Sequence, residues 1–220
     1  MKHLMTFLLA LCFLPLQAQR SQPGSADREM LDKAIDYFAS QKYHEALLLF
    51  EKLDERFRLN PRYQAYMGYC YYFDWDYASA ATYFEKSLPQ LQALSPHELS
   101  VYYFSLAESL FELSQYDASV EAYEQHLVRC YPDERADALY RLGFVYLFRD
   151  DKPTAWEYFT AAQACYRYFQ PERQQRIQQL QHMLKALPAA QEAPQEAPQE
   201  APQEAPQETP QEAPQEAPQE

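Results

Sequence analysis

Glycine and basic side chains are both scarce in this chain. Only three of its 220 residues are glycine. Hairpin turns and phosphate-binding loops rely on glycine, so this scarcity argues strongly against a β-rich or a Rossmann-like fold. Lys and Arg number 19 against 32 Asp and Glu, which leaves a formal net charge of −13 at pH 7. A nucleic-acid partner is therefore not expected, because the phosphate backbone attracts proteins of positive charge.

Motifs of catalysis and metal binding are missing as well. The sequence contains no Walker loop, no Gly-x-Ser-x-Gly elbow and no His-Glu-x-x-His pair. Four histidines follow the N-terminal segment, namely His44, His97, His126 and His182, and they lack the spacing of metal ligands. We therefore expect a protein that is not an enzyme and that uses no metal and no cofactor.

The chain also has no apolar run long enough to span a bilayer. The N-terminal run from Leu4 to Leu14 falls short of the roughly 20 apolar residues that a membrane-spanning helix needs. With Lys2 before it and the small Ala18 after it, residues 1–18 are typical of a secretory signal peptide that is cleaved after Ala18. An uncleaved anchor is the alternative. We expect a secreted protein, in the bacterial periplasm or outside the cell, with no integral membrane segment after cleavage.

The C-terminal segment, residues 188–220, repeats Gln-Glu-Ala-Pro from Gln191 onward. A proline at every fourth position prevents a continuous helix. The segment carries eight glutamates and no Lys or Arg. With so little apolar surface to bury, it is expected to be a disordered tail. The interpretations are a spacer through the cell envelope, a docking segment, or a tolerated expansion of the repeat.

Between these two ends, one pattern of residues recurs four times. Each copy has a small residue, a second small residue 12 positions later, and an aromatic ring 16 positions after the first. The first small residues are Ala34, Gly68, Ala107 and Gly143, the second are Ala46, Ala80, Ser119 and Ala155, and the rings are Phe50, Phe84, Tyr123 and Phe159. Antiparallel helices approach closely only where side chains are small. Each copy therefore predicts a helix pair, with the ring filling the space between one pair and the next.

Helix starts are marked between the copies. Asn60 and Ser95 each precede a proline, which predicts an N-cap followed by proline at the first helical position. Glu98 adds a capping box to the second of these starts. Residues 171–187 carry apolar side chains on one face only and predict a last helix that covers the end of the array.

This pattern resembles the tetratricopeptide repeat (TPR) family, whose members stack helix pairs of about 34 residues into a solenoid. The resemblance implies an all-α fold, a TPR-type α-solenoid of four helix-turn-helix repeats plus a C-terminal capping helix. The expected boundaries are 26–187 for the solenoid with its cap, 27–60, 61–94, 96–132 and 133–169 for the repeats, and 171–187 for the cap.

Three cysteines follow the signal segment, and an odd number cannot pair completely within one chain. Cys70, beside Tyr71 on a packed helix, is expected to be a small core residue. Cys130 and Cys165 end successive repeats, which places them farther apart than the ~7 Å that a disulfide permits between Cα atoms. We expect free thiols, and an intermolecular disulfide is the alternative.

The resemblance also implies a binding surface on the inner, concave side, built from the first helix of each pair. The predicted partner-binding groove comprises Phe38, Tyr69, Tyr72, Phe73, Phe104, Phe111, Tyr140, Phe144 and Phe148. The alternative is that a tight superhelix buries these rings as ordinary core. Some TPR proteins clamp a terminal carboxylate with Lys, Arg and Asn, but the corresponding positions here include Asp32, Tyr66, Val101 and Ser105. That clamp is absent.

The expected function is that of a noncatalytic scaffold or adaptor of the cell envelope. It would bind a peptide or a helix of another protein in the aromatic groove. One alternative is a self-assembling structural protein of the envelope, in which case the partner is a second copy and the chain is a homo-oligomer. Another is a regulatory subunit of an envelope complex.

Overall fold

The computed structural model describes residues 24–187, and all regular structure in that range is helical. Its helices are α1 (Ser25–Ala39), α2 (Tyr43–Phe57), α3 (Pro61–Phe73), α4 (Tyr77–Ser87), α5 (Pro96–Glu112), α6 (Tyr116–Leu127), α7 (Arg135–Phe148), α8 (Lys152–Phe169) and α9 (Gln174–Ala186). Short 3-10 turns occupy Leu88–Gln90 and Pro132–Glu134. None of these helices is long and apolar enough to cross a bilayer. The predicted signal peptide (1–18) and tail (188–220) lie outside the described residues.

The helices pack as four consecutive pairs. α1 lies against α2, α3 against α4, α5 against α6 and α7 against α8, and the second helix of each pair contacts the first helix of the next. The last helix, α9, packs against α8 and buries Ile177 and Leu180. The predicted fold class, an all-α solenoid of four helix pairs with a C-terminal capping helix, is confirmed.

The recurring small residues and rings form the interior of each pair. All twelve are buried. A Cβ atom built on Gly68 would lie 3.1 Å from Cδ1 of Phe84, so the ring of the second helix rests directly on the backbone of the first. The ring therefore fills the space within its own pair, and not only the space between pairs as predicted. It also reaches the next pair, since Phe84 lies 6.1 Å from the ring of Tyr102.

One turn recurs between the two helices of every pair. Its middle residue has a left-handed backbone, with φ of 59° at Gln41, 65° at Trp75, 59° at Ser114 and 57° at Asp150. The residue that follows donates its N–H to a carbonyl five positions back, as Asp76 does to Tyr71 at 3.0 Å. This arrangement closes the first helix in the same way each time, and it usually uses glycine at the left-handed position. In this glycine-poor chain, residues other than glycine occupy the left-handed position, where the Cβ atom makes the conformation less favourable.

The helix starts follow the prediction with two differences. Asn60 accepts the N–H groups of Arg62 and Tyr63, which confirms its role as N-cap. Ser95 accepts the Glu98 N–H at 3.2 Å, but the carboxylate of Glu98 accepts from Arg62 at 2.8 Å rather than closing the predicted capping box. A guanidinium is a stronger donor than a backbone N–H. At the other end, α9 begins at Gln174 and not at Pro171, because residues 171–173 form a turn before it.

The three cysteines of the described range are free thiols. Cys70 lies in the core formed by the first two pairs, as expected, whereas Cys130 and Cys165 are half-buried. Burial raises the pKa of the Cys70 thiol to about 12 and also raises the pKa of Cys130 and Cys165. All three are therefore predominantly protonated, poorly reactive thiols at neutral pH.

Candidate functional site

The predicted groove residues lie on the first helices of the four pairs. In α3 and α7 the glycines Gly68 and Gly143 face the second helix of their own pair. Side chains one and four positions further along, such as Tyr69 and Tyr72, therefore emerge on another face of the helix. Both are half-buried and line a surface depression rather than the interior of the pair.

Three neighbouring cavities follow one another along this face. The N-terminal cavity (about 400 Å³) and the central cavity (about 410 Å³) share Tyr69 and Val101 in their walls. The central cavity and the C-terminal cavity (about 520 Å³) share Phe104 and Asp137. Shared walls make the three cavities one continuous depression, which we call the groove. All nine rings predicted from the sequence line it.

At its N-terminal end, the groove is walled by a cluster of stacked rings. Phe38 stacks on Tyr66 with the ring centroids 4.3 Å apart. Tyr43, from α2, stacks on Phe73 at 4.3 Å and was not among the predicted groove residues. Burial raises the pKa of Tyr69 to about 12, so its hydroxyl remains protonated and can donate a hydrogen bond.

At the C-terminal end, four of the predicted rings meet, but they are not equally accessible. Phe148 is 55% exposed and lies 6.2 Å from Phe111. Tyr140 is only 7% exposed, because its ring packs against Phe144 at 4.9 Å and the guanidinium of Arg176 lies 4.0 Å from its centroid. Tyr140 therefore lines the C-terminal cavity but is the least accessible of these four rings. The capping helix, which carries Arg176, covers the ring.

A buried carboxylate forms part of the wall of the C-terminal cavity. Glu108 accepts a hydrogen bond from the Tyr123 hydroxyl. Its oxygens also accept from Arg141, with Nε to Oε1 at 3.0 Å and Nη2 to Oε2 at 2.8 Å. Burial lowers the pKa of Arg141, but the attraction and hydrogen bonds of Glu108, together with Tyr123 and Glu112, raise the pKa overall. This network ties α5, α6 and α7 together, and neither charge is free for another ligand.

The central cavity contains polar residues that the groove prediction did not include. They include Ser100, His126, Asp133, Glu134, Asp137 and Gln170. Asp137 lies one helical turn before Tyr140 on α7, so the 3.6-residue period was a signal that could have found it. Gln170 offers no such signal, because it follows the end of α8 and reaches the cavity only through the packing of the fourth pair.

What the groove offers for recognition is ring faces, carboxylates and hydrogen-bond acceptors. Within residues 24–187, no group of three or more His, Cys, Asp or Glu side chains is placed to hold a metal ion. The chemistry present suits the binding of an extended or helical polypeptide by contact and charge.

Several proteins of known structure have a similar fold. No family model matches the sequence, and no curated protein matches it significantly. YrrB, described as a TPR protein with an unusual peptide-binding site, matches with a TM-score of 0.56 and 18% identity, covering 71% of this chain and 75% of its own. MamA from Desulfovibrio magneticus RS-1 matches with a TM-score of 0.52 and 17% identity, covering 74% of this chain and 93% of its own.

A chain of the APC/C hetero-tetramer Cut9–Hcn1 is similar over 70% of this chain, with a TM-score of 0.55 and 15% identity. The match spans only 30% of that longer chain. At such low identity the likeness concerns the backbone and not the binding residues. Together with the four packed helix pairs, these matches show that the described part of the chain folds as a TPR-type α-solenoid.

Proposed function

We propose that this protein is a noncatalytic scaffold of the cell envelope that binds a peptide or a helix of another protein in the groove. The observation that carries the proposal is the continuity of the three cavities, whose nine predicted rings come from four successive first helices. Aromatic side chains provide large contact areas at a low cost in conformational entropy, and they are typical anchors of protein interfaces.

Exposed rings in the central and C-terminal cavities support the same conclusion. Phe73 is 43% exposed and Phe148 is 55% exposed, and half-buried rings lie between them. Exposed apolar side chains that adjoin one another are typical of interaction surfaces, because water contact with them is unfavourable. A bound segment would cover both exposed rings and the half-buried rings between them.

Two further observations bear on the partner and the location. The similar protein YrrB is described as having a peptide-binding site, which favours a peptide ligand for the same fold. The envelope location rests on the sequence of residues 1–18, which is typical of a signal peptide and lies outside the described residues.

The experiment places a photo-crosslinking amino acid at position 73 or 148 in living cells. Position 168 is the matched control, because Tyr168 is aromatic, 79% exposed and outside the three cavities. We expect one protein to crosslink from positions 73 and 148 and not from position 168. The crosslinked species should be found in the periplasmic or extracellular fraction.

The crosslinked protein is then purified, and its affinity is measured by calorimetry. Replacing both Phe73→Ser and Phe148→Ser should weaken binding at least tenfold, whereas Tyr168→Ser should leave the affinity unchanged. Because all three side chains are among the exposed ones, the helical circular dichroism signal should be preserved in every variant. Equal affinity of the groove variant and the parent would contradict the proposal.

A further inference from the structure

The central cavity differs from its neighbours in charge. Its charged lining consists of Asp133, Glu134 and Asp137, and no Lys or Arg of the described range lines it. The C-terminal cavity is lined instead by both signs, including Arg141 and Arg176. The central cavity is therefore the negative section of the groove.

Neighbouring cations do not fully neutralise these carboxylates. Asp133 makes no ion pair with any residue between positions 24 and 187. Oδ1 of Asp137 accepts a hydrogen bond from the Tyr166 hydroxyl, and Nη1 of Arg173 lies 3.3 Å from Oδ1 and 3.4 Å from Oδ2. Glu134 lies 2.8 Å from the ring of His97. Asp133, and Oδ2 of Asp137 with its single long contact, therefore retain the capacity to bind a cation.

A second and independent feature of this cavity is a pair of buried atoms without hydrogen-bond partners. Within the described part of the chain they are Nε2 of His126 and Oε1 of Gln170, and both residues line the cavity. His126 is only 4% exposed. Leaving such polar atoms unpaired is unfavourable, so they mark a position where a ligand can contribute hydrogen bonds.

Both of these atoms are acceptors. Nδ1 of His126 lies 3.0 Å from the carbonyl oxygen of Ser100, and a carbonyl can only accept, so Nδ1 carries the proton. Burial lowers the pKa of His126, which keeps the ring neutral and leaves a lone pair on Nε2. The amide nitrogen of Gln170 donates to the carbonyl of Asp133 at 2.8 Å, so its oxygen is the atom left over. The missing partner is therefore a donor.

The remaining wall is aromatic. Tyr69, Tyr72, Phe73 and Phe104 line the same cavity, and the ring of Phe104 lies 5.1 Å from that of His126. Ring faces attract cations, and they also pack well against the aliphatic stems of long basic side chains. A positively charged head group with several N–H donors, carried on an apolar stem, would complement the carboxylates, the unpaired acceptors and the rings of this cavity.

We propose that the central cavity binds a Lys or Arg side chain of the partner polypeptide. The inference rests on the proposed function and names the chemistry of the partner. The stem of the basic residue packs on Phe104 and the neighbouring tyrosines, and its N–H groups bind Asp133, Asp137 and the unpaired acceptors. The chain's own segment 188–220 does not fit this site, because it has eight glutamates and no Lys or Arg.

The test uses the full chain and a phage library of random dodecapeptides. Clones are retained only if they bind the parent and fail to bind the Phe73→Ser, Phe148→Ser variant. We expect the retained peptides to be enriched in Lys or Arg at one position. In a synthetic peptide from this set, replacing that Lys by norleucine, which keeps the stem and removes the charge, should weaken binding at least tenfold.

Charge reversal provides the matched comparison. Asp133→Lys should lose the basic peptides and regain a peptide in which the basic residue is replaced by Glu. Glu157→Lys, an exposed change on α8 outside the three cavities, should bind like the parent. Rescue by the opposite charge excludes a merely structural effect of Asp133→Lys.

Each other outcome has a defined meaning. Groove-dependent peptides without basic enrichment, or with equal affinity for the norleucine peptide, would overturn this inference and leave the proposed function standing. If no peptide depends on Phe73 and Phe148, both fail. If truncation after Leu187 strongly increases peptide affinity, the acidic tail occupies the groove and the assignment is wrong. A dimer that dissociates on Asp133→Lys would make a second copy the occupant, against the proposal.

Discussion

Gly143 lies directly beneath the ring of Phe159. A Cβ atom on Gly143 would overlap that ring, with Cγ of Phe159 only 2.9 Å away. At the equivalent glycine of the second pair, Gly68, the same atom would lie 3.1 to 3.3 Å from the ring of Phe84. The two glycines therefore make the same contact, and the contact is tighter in the fourth pair.

The difference predicts unequal costs for the same substitution. Gly143→Ala should lower the free energy of unfolding by about 1–2 kcal/mol, because overpacking outweighs the gain in helix propensity. Gly68→Ala should be within about 0.5 kcal/mol of the parent, since a small shift of Phe84 relieves the contact and the propensity gain offsets it. Urea unfolding followed by circular dichroism measures both.

A second change tests the cause. In the Gly143→Ala background, Phe159→Leu should cost less than it does in the parent, because the smaller side chain makes room for the new methyl group. Additive effects of the two changes would show that the ring is not the obstacle. Equal stability of the two alanine variants would contradict the tighter contact.

The left-handed turn residues predict a stabilising substitution. Ser114→Gly should raise the free energy of unfolding by about 0.5–1 kcal/mol, because relief of the left-handed strain exceeds the entropy that glycine adds to the unfolded chain. Ser40→Gly is the control, since Ser40 has φ of −86° in the first turn and no strain to relieve. That change should be neutral or slightly destabilising. Thermal melts that show the same effect for both serines would refute the role of φ.

The buried Glu108 predicts an asymmetry between single and double substitutions. Glu108→Ala should lower the free energy of unfolding by about 3 kcal/mol, because it leaves Arg141 partly buried without its partner. Glu108→Leu combined with Arg141→Met should recover part of that loss, since no charge then remains buried and only the Tyr123 hydroxyl lacks its acceptor. Glu112→Ala, which removes a carboxylate 3.7 Å from Arg141 at a more exposed site, should cost less than about 1 kcal/mol. A double variant less stable than the single one would contradict this account.

Buried thiol and phenol groups predict a loss of stability at alkaline pH. Burial raises the pKa of Cys70 and of Tyr69 to about 12 in the folded chain. The fold therefore favours their neutral forms, and this contribution is complete below the unfolded pKa values, about 8.5 and 10. It is lost as pH rises from there towards 12. The melting temperature should fall steadily above pH ~9.

A thiol reagent provides the direct check on Cys70. At pH ~8 the native chain should leave Cys70 unmodified, because the thiol is protonated and inaccessible, and urea should expose it. Cys70→Ala should show a smaller fall in melting temperature between pH ~8.5 and ~10 than the parent. Rapid modification of Cys70 in the native state would contradict its burial.

The sequence by itself determined the helix pairs and most of the groove. Helical spacing is a local property, so the small residues and rings at fixed offsets were sufficient to predict four pairs and a cap. The same spacing placed Tyr69, Phe111 and Phe148 on the face that lines the groove. These predictions depended only on which side of one helix a residue occupies, and this is set by the 3.6-residue period.

Only the tertiary structure determined which side chains of different helices contact one another. The packing of α9 against the fourth pair places Arg176 over the ring of Tyr140. No spacing of residues within α7 predicts this contact. Likewise, His126, Asp133 and Gln170 come from three separate segments of the chain and meet only because the third and fourth pairs stack in one orientation. Contacts of this kind depend on the rotation between pairs, which is determined by packing over the whole interface and not by any local pattern.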